Sequence, residues 1–308
     1  LRTVTLAKDV ESQGAIGAVL NAPVSNLNLK MVADSIDIPT VITVVNMDTD
    51  IAERIRYGAA IINVAGGAQT PEIVKMVREA APGVRVAANL GALRHVAQQP
   101  GLVPIGMCIG PFSLTTKLMA DPITPVCMAG AGIGAEEDEG VALLEACLDL
   151  ALTCVLAQVE GALNAGAKAV FVAEPAANQV YFSPLQLAGG SDIFERCVLE
   201  PNRRVAALLA EHDADLLFHC CGEITDAMLD HFCSLRPSLL SLGSSRRLWA
   251  DAVRVPKDTV LYGNLPSKMF YSDESMPLPR VAEQAAELAA HMAASGHPFI
   301  LGTECDTL

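Results

Sequence analysis

Along this chain, short apolar runs alternate with longer stretches in which apolar residues return every three or four positions. The runs stop at small or polar residues. The first third has runs at 16–20, 40–45, 60–64 and 84–88, with Asn21, Asn46, Asn63 beside Gly66-Gly67, and Asn89 with Gly91 at their ends. Helical spacing fills 50–57 and 71–81 between them. The remainder has runs at 103–109, 169–173, 215–219, 239–242, 260–262 and 299–301, separated by Ala-rich stretches such as 136–165 and 280–294. Continuous apolar runs of this length suit strands covered on both faces. The rhythm therefore predicts βα units on a parallel sheet, with the loops after each strand gathered at one end. Gly166 stands where the helix over 136–165 needs a left-handed closing residue.

Four runs plus six are two more than one eightfold barrel uses. The pattern predicts an α/β fold, a (β/α)8 TIM-type barrel with an additional N-terminal βα-repeat portion. The division is expected between residues 91 and 92, where a run passes straight into the helical Leu93-Arg94-His95-Val96. Residues 92–308 carry the barrel, and 1–91, which carry no recognisable role, either supply two barrel strands plus extra elements or form a separate α/β unit.

Composition narrows the setting. The 308 residues are 51% hydrophobic and only 4% aromatic, as fits Ala- and Val-rich helices on buried strands. A net charge of −14 opposes a phosphate backbone and argues against nucleic acid as a partner. Nine cysteines, an odd number without regular spacing, do not read as a disulfide framework. Cys108, Cys147, Cys154 and Cys197 fall in apolar patterns and read as buried, reduced thiols. The longest apolar stretch, 141–159, is interrupted by Glu145 and Asp149 and reads as a buried helix rather than a membrane span. With no signal peptide expected, these features point to a cytoplasmic protein, for which a homodimer is compatible. The absence of an initiator Met before Leu1 reads as trimming of a longer chain.

The candidate chemistry lies at two strand ends. Side chains alternate faces along a strand, so in His219-Cys220-Cys221-Gly222 the imidazole and the Cys221 thiol point one way and Cys220 the other. Cys305 follows the run at 299–301. One nitrogen and two sulfurs make three corners of a zinc tetrahedron and leave the fourth for water or substrate, the pattern of a catalytic site. A slip of one residue in register would put Cys220 in place of Cys221. The bland alternative is a satisfied core histidine with buried thiols. The other five histidines read as surface or capping residues, and no dinucleotide fingerprint or Ser-His-Asp order is recognisable.

Several segments carry a resemblance. Val103-Pro104-Ile105-Gly106 leads to Gly110-Pro111-Phe112, and Ala165-Gly166-Ala167-Lys168-Ala169-Val170 leads to Glu174-Pro175. Phe182-Ser183-Pro184, Tyr262-Gly263-Asn264-Leu265 and Ile300-Leu301-Gly302 follow in order. From about residue 92 to 305 this order resembles the uroporphyrinogen decarboxylase superfamily. The His-x-Cys with a late Cys is similar to that of its zinc-dependent branch, enzymes like methylcobamide:coenzyme M methyltransferase. The resemblance implies zinc (Zn) on His219, Cys221 and Cys305. It implies a corrinoid (methylcobamide), free or on a partner protein, and a small thiol or methylated substrate. Zinc would hold the thiol as a nucleophilic thiolate. The decarboxylase branch has an Arg-Gln-Ala-Gly-Arg segment near its N-terminus, which residues 1–100 lack. Decarboxylation, a zinc hydrolase or lyase, and a non-catalytic binding protein remain as alternatives.

Around the metal, Glu174 ends its run toward the same loops. It reads either as a fourth ligand, a partner of His219 or a proton acceptor, or else as a helix N-terminal acid before Pro175. Glu304 and Asp306 alternate with Cys305 and are expected to face away, and Glu223 is expected to cap a helix over 224–232. Ser244-Ser245 can cap the next helix, while Arg246 and Arg247 either grip a substrate anion or form a solvated pair. Tyr262 and Asn264 share a strand face, so Tyr262 is assigned to substrate binding. Asn264 reads either as a catalytic hydrogen-bond donor or as a loop-stabilising amide. Asn178, Tyr181 and Lys268 are candidates for the site's mouth.

Overall fold

The computed structural model describes residues 4–12, 18–20, 24–64, 70–80, 88–270 and 272–305. The chain divides into two compact units, Leu1–His95 and Val96–Leu308. In the first, α1 (Val4–Ser12), β1 (Ala18–Leu20), α2 (Asn26–Ala33), β2 (Thr40–Val44), α3 (Ile51–Arg56), β3 (Ile61–Val64) and α4 (Thr70–Ala80) follow in order, then α5 (Ala88–Ala97). The strands pair in parallel as β1-β2-β3. Their core is aliphatic, with Leu20, Leu29, Val32, Ile42, Ile62, Ile73 and Val77 buried together. Ser25 caps α2 by accepting from the Asn28 N–H, and Asp50 caps α3 through the Glu53 N–H. Most of the run at 84–88 lies outside the described residues, and its last residue, Ala88, opens a helix instead. Asn21 and Gly66-Gly67 also lie outside them.

The second unit runs β4 (Ile105–Ile109), α6 (Pro111–Leu118), α7 (Ile123–Gly130), α8 (Glu139–Asn164), β5 (Ala169–Ala173), α9 (Pro184–Ala188), α10 (Glu200–Glu211) and β6 (Asp215–Cys220). It continues with α11 (Asp226–Ser234), β7 (Leu239–Leu242), α12 (Leu248–Asp251), β8 (Val260–Leu265), α13 (Leu278–Ser295) and β9 (Phe299–Thr303). Its six strands are all parallel and adjacent in chain order, β4-β5-β6-β7-β8-β9, as successive βα units of one winding require.

Strand alternation divides this sheet cleanly. Cys108, Val170, Val172, Phe218, Cys220, Leu240, Leu242 and Leu261 are buried on the helix-covered face. There Phe218 meets Phe232 at 5.0 Å between ring centroids, and Phe194 links Phe182 and Phe232 at 5.0 and 5.9 Å. The opposite face presents Met107, Phe171, Ala173, His219, Ser241 and Tyr262.

The helix expected over 136–165 begins at Glu139, where Asp138 caps it through the Val141 N–H. Gly166, at φ +98°, closes it as expected. This α8 packs on α6, α7, α10 and β4, but it is one-sided rather than buried all round. It is long and apolar enough to cross a membrane by composition, and Leu143 and Leu150 are exposed on its outer side. Cys154 is exposed and Cys147 half-buried on this helix, while Cys108 and Cys197 are buried as expected.

Candidate metal centre

The site forms where β6 and β9 end. His219, the last inward-facing residue of β6, sits opposite Ser241 of β7 in the parallel register. Both are buried, and the ring Nδ1 lies 2.9 Å from the Ser241 hydroxyl. Two residues on, Cys221 points to the same side. The chain after β9 returns Cys305 to it, with Sγ–Sγ 3.9 Å. The imidazole nitrogen and the two sulfurs all lie within 4.8 Å of one another.

These distances fit a metal and not a disulfide. Sulfurs on one tetrahedral zinc stand about 3.8 Å apart, whereas a disulfide holds them near ~2.05 Å. Burial, and then the neighbouring Cys305, push the Cys221 thiol up to about 11. Two thiolates side by side are disfavoured without a dication between them, and a dication relieves that repulsion. The residues present therefore fit a zinc ion held by His219, Cys221 and Cys305.

The site faces a cavity of about 320 Å³ lined by Met107, Phe171, Ala173, Pro175, Ser241, Tyr262 and Thr303 together with the three candidate ligands and Glu304. Tyr262 therefore lines the cavity beside the candidate ligands. Among the described residues, no arginine or lysine lines this wall. Cys220 takes the opposite face, its thiol 3.5 Å from the Ala177 carbonyl, and burial raises its pKa. The register thus selects Cys221, the alternative favoured by strand alternation.

The structure sends Glu174 elsewhere. Phe171, Ala173 and Pro175 face the cavity, so alternation turns Glu174 outward, where it is fully buried. Its carboxylate accepts from the Ser113 N–H in the first turn of α6 and, at 3.0 Å, from Asn202 Nδ2 on α10. Burial pushes its pKa up against these donors. Glu174 is thus the acid of a helix N-terminus, that of α6, and not a metal ligand. Gly110 is glycine because a Cβ there would come within 2.1 Å of this carboxylate.

Other expectations are also corrected. Asn264 donates to the carbonyls of Gly243 and Arg246, at 2.7 and 2.9 Å, and so holds the β7–α12 loop rather than facing the cavity. Arg246 is committed to Asp251 and to Asp226, the latter at 3.0 Å, which removes it as an anion grip. Arg247 is exposed at the start of α12 and lies off the cavity wall. Neither serine caps that helix, and Thr225, not Glu223, caps α11. Asn178 spends its amide on the Pro175 carbonyl and the Val180 N–H. His297 is buried, with Nε2 2.9 Å from the Thr259 carbonyl. Asp306 lies outside the described residues.

Ser241 escaped the sequence reading, and Glu304 departs from it. Ser241 is the lone polar residue in its apolar run, a signal that becomes informative only with the register. Glu304 is buried on the cavity wall instead of facing away, and Lys268 reaches it at 3.6 Å.

A search of curated proteins finds no match to this chain. Among solved structures, a methyltransferase from Methanosarcina mazei is similar, with a TM-score of 0.53 and 18% identity. The match covers 72% of this chain and 63% of that one. At this identity the likeness is one of fold, a (β/α)8 TIM-type barrel to which β4–β9 contribute consecutive strands. The family model for uroporphyrinogen decarboxylase (URO-D) matches residues 22–308, taking in most of the N-terminal portion that the motifs had left out, and the chain belongs to that family.

Proposed function

We propose that this protein is a zinc-dependent methyltransferase that moves a methyl group between a corrinoid, free or protein-bound, and a thiol or similar acceptor. The observation that carries the reading is the convergence of one imidazole and two thiols at the floor of a cavity. Bound there, zinc would supply a Lewis acid that keeps an entering thiol deprotonated yet nucleophilic. The chain's own part is to hold three corners and leave the fourth open. Ser241 fixes the His219 ring, and the apolar wall of Met107, Phe171 and Pro175 limits water at the open corner. Tyr262 is assigned to contact with substrate. Family membership and the likeness to a methyltransferase support the same reading.

Porphyrinogen decarboxylation fits less well. It needs cations for several substrate carboxylates, and the described cavity wall has none. Metal analysis of freshly purified, reduced protein tests the proposal. About one zinc per chain is expected, and its loss in Cys305→Ser. Demethylation of methylcobalamin by a panel of thiols then tests the reaction. Protein without zinc would sink the proposal. Zinc without thiol-dependent demethylation would point to water at the fourth corner, and so to a hydrolase or lyase.

A further inference from the structure

The two cysteines come from strand ends 84 residues apart in sequence, yet one short segment touches the backbone of both. After β8 the chain makes a single 3-10 turn, Ser267–Met269. The Ser267 hydroxyl donates to the Cys305 carbonyl at 2.8 Å and accepts from the Cys305 N–H at 3.2 Å. The next residue, Lys268, extends its ammonium to the Cys221 carbonyl at 3.3 Å and to the Glu304 carboxylate at 3.6 Å. Glu304 is itself fixed, since its Oε2 accepts from the Ser244 N–H at 2.8 Å. Its side chain is 5% exposed, against 54% for Lys268.

We infer that Lys268, anchored by Glu304, is a positioning residue that sets the spacing of the Cys221 and Cys305 thiols for the metal. The inference rests on the zinc reading proposed above. The geometry carries this role. A single ammonium reaches the backbone of one cysteine and the side chain adjoining the other, so it couples strand ends that the sheet itself does not pair. A side chain of equal length without a charged donor does not supply this link. Arginine does.

The test is zinc affinity, by competition with a chromophoric chelator, for wild type, Lys268→Met, Lys268→Arg and Glu304→Gln. The visible spectrum of the cobalt(II)-loaded proteins reports the ligand geometry. Loss of a group that orients metal ligands weakens metal binding by about 10- to 100-fold. That loss is expected in Lys268→Met with a changed cobalt spectrum, and near-wild-type affinity in Lys268→Arg. Equal affinity in Lys268→Met and wild type would overturn the inference while leaving the metal centre standing. Equal weakening in the Met and Arg variants would also overturn it, since it would mean packing alone matters. If Lys268→Met does not fold, Glu304→Gln decides, with weakened binding expected and unchanged binding refuting. Wild-type protein that binds no zinc would remove the metal reading and this inference together.

Discussion

Replacing Ser241 by alanine is expected to weaken zinc binding by about 10- to 100-fold while leaving the fold intact. The Ser241 hydroxyl lies 2.9 Å from His219 Nδ1, and register alone brings the two together, since they are Cα partners on β6 and β7. Ser241 is 1% exposed and His219 7%, so water does not readily replace the lost partner. Removing one partner of a buried hydrogen bond costs about 1–3 kcal/mol. A 10- to 100-fold change in affinity corresponds to about 1.4–2.7 kcal/mol, so the two routes agree. Only one oxygen atom is removed, so packing changes little. Chelator competition reads the affinity, and thermal denaturation without metal checks the fold. Ser241→Thr keeps the hydroxyl and should retain more affinity than the alanine variant. An alanine variant within about twofold of wild type would refute the assignment of Ser241 as the group that fixes the ring.

Two further outcomes concern stability. Phe218→Ala, which empties a buried ring site beside Phe232 on the strand that carries His219, should cost about 3–5 kcal/mol in chemical denaturation. Asp226 pairs with Arg246 at 3.0 Å and Arg254 at 2.9 Å, and these hold its carboxyl below its ordinary value of 3.8. Its contribution is therefore present above that value and lost as pH falls through the lower folded-state pKa. Asp226→Asn should flatten the acid limb of the stability–pH curve, and an unchanged limb would count against the pairing.

Much of the sheet was legible because buried parallel strands are short apolar runs, and the runs at 169–173 and 239–242 coincide with β5 and β7. Where strands outran their apolar cores, as β8 and β9 do to Leu265 and Thr303, the polar residues at their ends hid the extension. The choice of Cys221 over Cys220 followed from alternation alone. The same rule, applied to Phe171 and Ala173, would have turned Glu174 away from the candidate ligands, but the acid at a strand end drew the functional reading. Arg246 could not be read in this way. Its partners Asp226 and Asp251 come from different elements, and only the folded loop brings them together. Likewise, the value of Ser241 depends on which residue of β6 it faces, which no local pattern encodes.

The 84-residue separation of the two cysteines has a consequence for how the barrel comes apart. β9 is the outermost strand of the six, paired only with β8 among the described residues. A strand paired along one side opens locally at lower cost than one paired along both. Filling the centre cross-links the chain beyond β9 to the end of β6, across the two intervening strands, and closes a loop whose ordering costs about 4 kcal/mol of chain entropy. Zinc bound there would thereby also rivet β9 in place. Its withdrawal would then loosen β9 before the rest of the sheet, with amide exchange rising first there.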